Sequence, residues 1–384
     1  MAWYIGLMSG TSMDGVDAVL ARFDPPSAQT PSPSQASTWI PAYHAHFEHA
    51  VSVPLADELS AELLALNQAG ENELLRAARA AQALVKHYSQ AVHQLLSESQ
   101  LKATDITAIG AHGQTVRHLP DEGISIQINA PALLAEQTGI DVIADFRSRD
   151  LAAGGQGAPL VPPFHAYLFG SPHPRAVVNI GGMANITVLE PSSFYGFDCG
   201  PGNVLMDLWC ARHLQQPFEK QGLWAASGRC HDKLLDTLLS EPWLKLCPPK
   251  STGRDLFNLD WLQKNLAAPA FQALSAADIQ ATLLEYTARS IIEALCRWAP
   301  HTQDIIICGG GAHNTYLMQR LQHLANHLLT ASIHSSSEFG IHPQYIEAYA
   351  FAWLAFAYDK KINAGYPQVT GAHRPTCLGA RYYK

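Results

Sequence analysis

A polar turn near the start of the chain carries the residue types that bind phosphate groups. It reads Ser-Gly-Thr-Ser-Met-Asp-Gly over residues 9–15, between an apolar run at 3–8 and an alternating run at 16–21. Glycines allow the backbone to approach a ligand closely, and successive amide N–H groups of such a turn can bind an anion. Asp14 could then face a phosphate-bound Mg2+, directly or through water. An ordinary hairpin turn is the alternative; a Walker loop is excluded, because no lysine follows the glycines.

Three later features suit the same chemistry. The stretch 175–190, RAVVNIGGMANITVLE, repeats the layout of the first hairpin around a Gly-Gly turn and suggests a duplicated domain. Asp198 stands at the predicted end of a strand, before a Gly-Pro-Gly turn and a helix. The run 304–324 reads as a buried strand, a glycine triplet and a helix, which suits a nucleotide. Each feature has a structural alternative: a common turn, a cap at Asp198, or close packing at the triplet.

The composition is typical of a compact globular enzyme. Of 384 residues, 47% are hydrophobic and 15% are charged, which excludes a disordered chain. The net charge of −8, without lysine- or arginine-rich runs, argues against nucleic-acid binding. Seven cysteines without a CxxC pair fit neither a disulfide framework nor structural zinc, so we expect a reducing cytoplasm. No signal peptide is recognisable, and the longest apolar run, 348–358, is too short to span a bilayer.

The elements that must position these residues alternate between strands and helices. The region 147–165 is rich in glycine and proline and is predicted to be a linker or hinge. This alternation predicts the α/β class, and the length suits two domains. Apolar spacing and capping residues predict helices over 71–98, 131–139, 275–298 and 343–359, with another starting near Asn203, and strands at 123–130 and 140–146.

The whole set of motifs carries a family resemblance. The quoted stretches are GLMSGTSMDGVD, GAHGQTVRH, ADFRSRDLAAGGQGAPLVP, NIGGMANIT, GFDCGPGNVLMD, KSTGRDLFN and CGGGAHNTYLM, and they run from residue 6 to beyond 318. Their order matches the two phosphate hairpins and the adenosine motif of the actin, hexokinase and heat-shock ATPase superfamily. Within it, the chain closely resembles the anhydro-N-acetylmuramic acid kinase family.

The resemblance implies a fold and an activity. The fold would be a two-domain actin-like ATPase fold of duplicated ribonuclease H-like domains, with a central cleft for nucleotide and sugar. The domains would comprise residues 1–146 with 345–384, and residues 147–344. The family uses ATP to convert 1,6-anhydro-N-acetylmuramic acid, a product of cell-wall turnover, to N-acetylmuramic acid 6-phosphate. The resemblance also suggests a homodimer in the cytoplasm, with no nucleic acid and no membrane as partner.

The resemblance also implies roles for the motif residues. Asp198 would be the base that drives water onto C1, and Asp14 would lie on the Mg2+ side of the phosphates. A further set would bind ATP and its phosphates: Gly10, Thr11, Ser12, Met13, Asp14, Gly15, Val16, Asp17, Gly181, Gly182, Asn185, Gly309, Gly310 and Gly311. Within it, Asp17 has the alternative of a plain strand residue.

Six residues are predicted to contact the sugar substrate. Candidates for sugar contacts are His112, Gln114, Thr115, Arg147, Arg149 and Glu347. One of the two arginines would bind the lactyl carboxylate of the sugar. Each prediction has an alternative: an ion-pair network of the arginines with Asp145 and Asp150, a loop network around His112, and a helix-dipole role for Glu347. Lys250, Ser251 and Arg254 resemble the family, with at most nucleotide-side contacts to suggest for them.

Two other functions remain open on the sequence. The chain could be a sugar kinase of the same superfamily that acts on a free hydroxyl, with Asp198 deprotonating that hydroxyl. It could also be a non-catalytic, ATP-gated clamp, which would not need the sugar-facing residues.

Overall fold

The computed structural model of the chain describes residues 2–10, 13, 15–25 and 43–384. It is an α/β structure, as predicted. The strands are β1 (Trp3–Ser9), β2 (Gly15–Asp24), β3 (His44–Pro54), β4 (Ile106–Ala111), β5 (Gln114–Leu119), β6 (Ile124–Ile128), β7 (Val142–Ala144), β8 (Arg175–Ile180), β9 (Met183–Glu190), β10 (Ser193–Pro201), β11 (Asp304–Cys308), β12 (Ser332–Ser335) and β13 (Ala380–Tyr382).

The helices include those predicted from apolar spacing. They are α1 (Asp57–Ala65), α2 (Glu73–Glu98), α3 (Pro131–Thr138), α4 (Ser148–Ala152), α5 (Pro162–Phe169), α6 (Val204–Leu214), α7 (Leu223–Ser227), α8 (Asp232–Leu239), α9 (Leu259–Leu266), α10 (Ala276–Trp298), α11 (Thr315–Leu328), α12 (Ile346–Asp359) and α13 (Pro367–Thr370). The Ser275 hydroxyl accepts a hydrogen bond from the Asp278 amide (3.1 Å) and caps α10, as its sequence pattern indicates. No helix in the described ranges has the length and apolar character needed to cross a membrane.

The chain divides into two compact units. The first unit comprises Met1–Gly170 and Gln344–Lys384, and the second comprises Ser171–Pro343. The predicted boundary at residue 147 therefore differs from the observed one, because residues 147–170 lie in the first unit. The reason is the apolar helix α5, whose Phe164 ring packs against Tyr349 of α12, with ring centroids 5.0 Å apart.

The two units have the same sheet order. In the first, the order is β13-β7-β4-β1-β2-β3, with β2 antiparallel to β1 and β3, and β4 parallel to β1 and β7. In the second, the order is β10-β9-β8-β11-β12, with the same alternation of directions. Strand for strand, β8-β9-β10-β11-β12 corresponds to β1-β2-β3-β4-β7. This confirms the duplicated ribonuclease H-like arrangement.

Each sheet is packed on its own core. In the first unit, one face carries Ile5, Leu7 and their neighbours against α2, and α12 covers the other face. Two glycines permit that second contact, because a Cβ on Gly6 or Gly110 would collide with the α12 backbone at Ala348 or Phe351. This close approach holds β1 and β4 directly against α12.

Candidate functional site

The first glycine turn is tightly closed where the structure describes it. The Met13 amide donates to the Gly10 carbonyl (3.1 Å), and Met13 adopts a left-handed conformation, with φ of 55°. Its side chain is buried in the core, and its carbonyl accepts a hydrogen bond from Ser60. Gly10 and Gly15 remain candidates for phosphate contacts, whereas both backbone polar groups of Met13 are used within the protein. Thr11, Ser12 and Asp14 lie outside the described residues.

Gln114 lies at the base of this turn. Its side chain is 1% exposed and lies 2.8 Å from the Ser9 hydroxyl. With its amide nitrogen facing the turn, it also donates to the Ser9 and Gly10 carbonyls, both at 3.3 Å. Tyr88 of α2 completes the cluster, with its hydroxyl 3.3 Å from that of Ser9. The side chain predicted to contact sugar therefore contacts the first glycine turn.

Val16 and Asp17, which follow the turn, both make contacts within the protein. Val16 is fully buried in the core. One carboxylate oxygen of Asp17 accepts hydrogen bonds from Ser52 (2.5 Å) and Gln344 (2.8 Å). These contacts fit the alternative in which Asp17 is a strand residue.

A hydrogen-bonded chain leads from α13 to His112 in the first unit. Thr370 and the Gly157 amide donate to the two oxygens of the buried Asp150 carboxylate, both at 2.8 Å. Arg147 donates to the Gly157 carbonyl (2.7 Å) and lies 2.9 Å from His112 Nε2. Because a guanidinium can only donate, Nε2 of His112 accepts, and the ring proton is on Nδ1. These hydrogen bonds fix the orientation of the Arg147 guanidinium.

Neutral histidines flank Arg147. Burial, with a smaller effect of Arg147, lowers the pKa of His112 well below its ordinary value and that of His118 to about 4. Both rings are therefore uncharged at neutral pH. Burial raises the pKa of Asp150, against the opposing effects of Thr370, Gly157 and Arg147. The result is a fixed cation beside neutral rings, an arrangement that favours an anionic ligand.

The remaining candidates for sugar contacts are Arg149, Thr115 and Glu347. Arg149 is exposed on α4. Thr115 accepts a hydrogen bond from Gln127 (3.3 Å), and Glu347 is half-buried in the first turn of α12. Asp145 accepts a hydrogen bond from Ser148 (2.5 Å), and Asp150 is bound as described above and also interacts electrostatically with Arg147, so the ion-pair network stays an alternative.

In the second unit, the start of α6 holds the second glycine turn. The amides of Asn203 and Val204 donate to the carbonyls of Gly181 (2.8 Å) and Gly182 (3.1 Å). Gly202 is required here, because a Cβ at that position would collide with the Gly181 carbonyl. The first amides of α6 are thus used to fix the turn.

Asp198 belongs to a row of polar residues across the second sheet. Asn179 of β8 pairs with Asn185 of β9, which pairs with Asp198 of β10, so all three side chains are on one face. Asp198 is 8% exposed, and one of its oxygens accepts a hydrogen bond from the Thr252 amide (2.9 Å). Within the described residues, no group donates to the buried Oδ1 of Asn185. The row therefore has a held carboxylate beside an acceptor oxygen that a ligand or water can use.

The glycine triplet does not open the helix directly. Its last two glycines begin a short 3-10 turn, Gly310–His313, which precedes α11. The N-terminus of α11 is capped by Asn314, which accepts a hydrogen bond from the Leu317 amide (3.0 Å). Gly309 has φ of +78°, and a Cβ there would collide with Asn179 Oδ1. The triplet thus abuts the polar row, and a bulkier residue at its first position would disturb that row.

Several positioning residues were missed by sequence reasoning. These are Asp150, Thr370, Tyr88, Asn179 and Thr252. Asp150 enters the sequence prediction only as an ion-pair partner, although its place in α4, just before the glycine-rich residues 154–157, could have suggested a loop-organising role. Across the described part of the chain, no cluster of three or more histidines, cysteines or acids could hold a metal.

Comparison with known protein families covers the whole chain. The family model described as Anhydro-N-acetylmuramic acid kinase matches residues 2–384. A Bordetella petrii protein of that name is 52% identical over 381 residues, 99% of this chain and 96% of the relative. One from Pseudomonas fluorescens is 47% identical over 385 residues, 100% of this chain and 99% of the relative.

Solved structures with a similar arrangement are more remote. The activator of 2-hydroxyisocaproyl-CoA dehydratase from Clostridium difficile with bound ADPNP has a TM-score of 0.44 and 12% identity, covering 94% of this chain and 96% of that one. A ROK family glucokinase from Streptomyces griseus in complex with glucose and AMPPNP has a TM-score of 0.42 and 12% identity, covering 92% and 99%. At these TM-scores the likeness decides neither fold nor ligand.

Proposed function

The chain belongs to the anhydro-N-acetylmuramic acid kinase family, and on that premise we propose that it opens 1,6-anhydro-N-acetylmuramic acid with water and phosphorylates its O6. ATP is the phosphoryl donor, as membership of a kinase family implies. The products are N-acetylmuramic acid 6-phosphate and ADP. The cellular role is recycling of cell-wall sugars.

The chemistry requires one base. Water attacks the anomeric carbon C1 and loses a proton to the base, while the bond between C1 and O6 breaks. The electron pair released on O6 attacks the γ-phosphorus of ATP, and ADP leaves. Because O6 is freed by attack at C1, a single carboxylate that accepts the proton of water serves both halves of the reaction.

Asp198 is the base in this proposal, and its geometry is the observation that carries it. The carboxylate is almost buried, and the Thr252 amide donates to its Oδ2 (2.9 Å), which holds the group in a defined orientation. The neighbouring Asn185 Oδ1 is an acceptor for the second hydrogen of the same water. A held carboxylate with an adjacent acceptor oxygen is suited to orienting a nucleophilic water.

Arg147 is the proposed partner of the sugar carboxylate. Its guanidinium is held by Gly157 and His112, and the neutral state of His112 and His118 adds no competing charge. A planar guanidinium binds a carboxylate with two parallel hydrogen bonds. Arg149, which is exposed on α4, is the weaker candidate.

The glycine turns would bind the phosphates of ATP through their amides. Gly10, Gly15 and Gly182 are the hairpin candidates, since the Gly181 amide already donates to the Met183 carbonyl (3.2 Å), and the 309–311 triplet is the candidate for adenosine. Mg2+ would accompany ATP and neutralise its phosphate charge, with Asp14 as the residue proposed on its side. A homodimer and a cytoplasmic location are part of the same proposal.

The decisive experiment uses the purified protein, ATP, the anhydro sugar and water enriched in 18O. We expect ADP formation that depends on the sugar, with one 18O atom at C1 of the phosphorylated product. N-acetylmuramic acid, which has a free O6, should be a much poorer substrate. Equal turnover of N-acetylmuramic acid would favour an ordinary sugar kinase, and ATP binding without transfer to either sugar would favour a clamp.

A substitution at the base tests the mechanism. Asp198→Asn should retain ATP binding and lower kcat by about 10²–10⁴-fold, because an amide cannot accept the proton. Asp236→Asn, at an exposed position of α8, is the matched control and should leave kcat unchanged. Unchanged turnover of Asp198→Asn would remove this residue from the mechanism.

A further inference from the structure

The segment Lys250–Thr252 lies against the end of β10. It comes shortly after a 3-10 turn at residues 242–245. The Asp198 amide donates to the Lys250 carbonyl (3.0 Å), and the Thr252 amide donates back to Asp198 Oδ2 (2.9 Å). These two bonds grip both the main chain and the side chain of Asp198. The pairing register of β10 with β9 is also irregular between Asp198 and Gly200, so the segment supports the strand where its regular ladder is interrupted.

The buried Lys250 side chain holds this segment against the preceding turn. It is 4% exposed, and its ammonium donates to the carbonyls of Leu244 (2.9 Å) and Trp243 (3.3 Å). The same nitrogen lies 4.3 Å from the centre of the Trp243 ring, within range of a cation–π interaction. Burying an ammonium is costly unless its hydrogen bonds are satisfied. Here two carbonyls and an aromatic face satisfy it, which ties the segment firmly to the preceding turn.

The charges around Lys250 include the predicted base itself. Burial, with a smaller effect of Arg297, lowers the pKa of Lys250 to about 8 against the opposing effects of Cys199, Asp198 and Cys247. The ammonium is therefore mostly protonated at neutral pH. The buried ammonium and the Asp198 carboxyl group interact electrostatically.

We propose that Lys250 and the Thr252 amide are positioning residues that hold the Asp198 carboxylate in its reactive orientation. This assigns a function to the first part of the KSTGRDLFN stretch, whose role sequence reasoning left open. Neither residue needs to touch the substrate, since both act through Asp198. The inference rests on the proposed function, because it presupposes that Asp198 is the base.

The first experiment compares two lysines with the same substitution. Lys250→Met removes the buried anchor, and Lys245→Met changes an exposed lysine of the neighbouring turn. We expect Lys250→Met to lower kcat by about 100-fold while the KM values for ATP and sugar change by less than about threefold, as for a misplaced catalytic group. Lys245→Met should match the wild type. A folded Lys250→Met protein with wild-type kcat would overturn the proposal.

A double-mutant cycle separates positioning from a merely structural role. If Lys250 acts through Asp198, adding Lys250→Met to Asp198→Asn should lower the residual kcat by less than about threefold. If Lys250 only stabilises the fold, the substitution would reduce activity to the same degree in both backgrounds, which would contradict the inference.

Thr252→Pro provides a second route if Lys250→Met does not fold. Proline lacks the amide hydrogen that reaches Asp198, so kcat should fall by about 10–100-fold with ATP binding retained. Wild-type kcat in this variant would contradict the proposal. Failure of the wild-type protein itself to turn over the anhydro sugar would instead refute the proposed function, so the two failures are distinguishable.

Discussion

Three histidines of the first unit are held in the neutral form, which predicts a loss of stability on acidification. Burial lowers the pKa of His165 to about 3 and, with Arg147, that of His118 to about 4; His112 is shifted in the same direction. In the unfolded chain each would titrate near its ordinary value of about 6.5. As the pH falls below that value, the unfolded state binds more protons than the native state, and the free energy of unfolding decreases.

The magnitude follows from this difference in protonation. Between about pH 7.5 and about pH 5.5, an unfolded histidine changes from roughly one tenth to roughly nine tenths protonated. The native rings stay neutral over that interval, so each histidine removes about 1.4 kcal/mol of stability, and the three together remove about 4 kcal/mol. This is a large part of the roughly 5–15 kcal/mol that typically stabilises a folded protein. The stabilisation is fully present above the pKa of unfolded histidine, about 6.5, and is lost as the pH falls toward the native pKa of about 4.

Urea unfolding at a series of pH values measures this effect. His165→Leu removes one titrating ring from the interior, so its stability loss between the two pH values should be about 1.4 kcal/mol smaller than that of the wild type. Each protein is compared with itself, so any constant cost of the substitution cancels. His93→Leu, at an exposed position of α2, is the control and should retain the wild-type pH dependence. Identical pH dependences for wild type and His165→Leu would refute the reasoning.

Three further substitutions test individual placements. Arg147→Lys should raise the KM for the sugar by about 10–100-fold, because lysine cannot form the paired hydrogen bonds of a guanidinium; an unchanged KM would exclude Arg147 from sugar binding. Gln114→Leu should weaken ATP binding measured by calorimetry more than it raises the sugar KM, since Gln114 contacts Ser9 at the turn; the reverse would place Gln114 on the sugar. Gly309→Ala should cost about 1–3 kcal/mol in thermal unfolding, because of its positive φ and the collision with Asn179; an unchanged Tm would contradict the strain.

Local patterns predicted much of the fold. Apolar spacing located α2 and α12, a hydroxyl and an acid three residues apart located the start of α10, and the two glycine turns revealed the duplication. Each of these signals lies within one element or one turn, where backbone geometry and side-chain periodicity are coupled. The strand pairings then confirmed that both sheets have the same order.

The contacts that hold the candidate site could not be predicted from local sequence patterns. Thr252 reaches Asp198 across 54 positions, and Thr370 reaches Asp150 across 220. Such pairs depend on tertiary packing, which no short pattern encodes. The contacts of Gln114 could not be predicted for the same reason: it is buried and hydrogen-bonds to Ser9 and Gly10, more than 100 positions earlier, while its role toward the sugar stays a prediction.

The duplicated sheet order also relates two acids that the sequence treated separately. Asp17 is the third residue of β2 and pairs with Ser52 on β3. At the corresponding positions of the second unit, Asn185 is the third residue of β9 and pairs with Asp198 on β10. Both polar pairs lie on the sheet face opposite the main apolar core of their own unit, because residues that pair across strands share a face.

The two pairs differ in how their polar atoms are used. In the first unit, a single oxygen of Asp17 takes hydrogen bonds from both Ser52 and Gln344, so the acid serves to join strands and the segment before α12. In the second unit, the acid is on the outer strand, a main-chain amide holds one of its oxygens, and Asn185 presents an acceptor with no described donor. The corresponding pairs therefore differ in use: Asp17 and Ser52 join structural elements of the first unit, whereas Asn185 and Asp198 are the pair to which the proposed function assigns proton transfer.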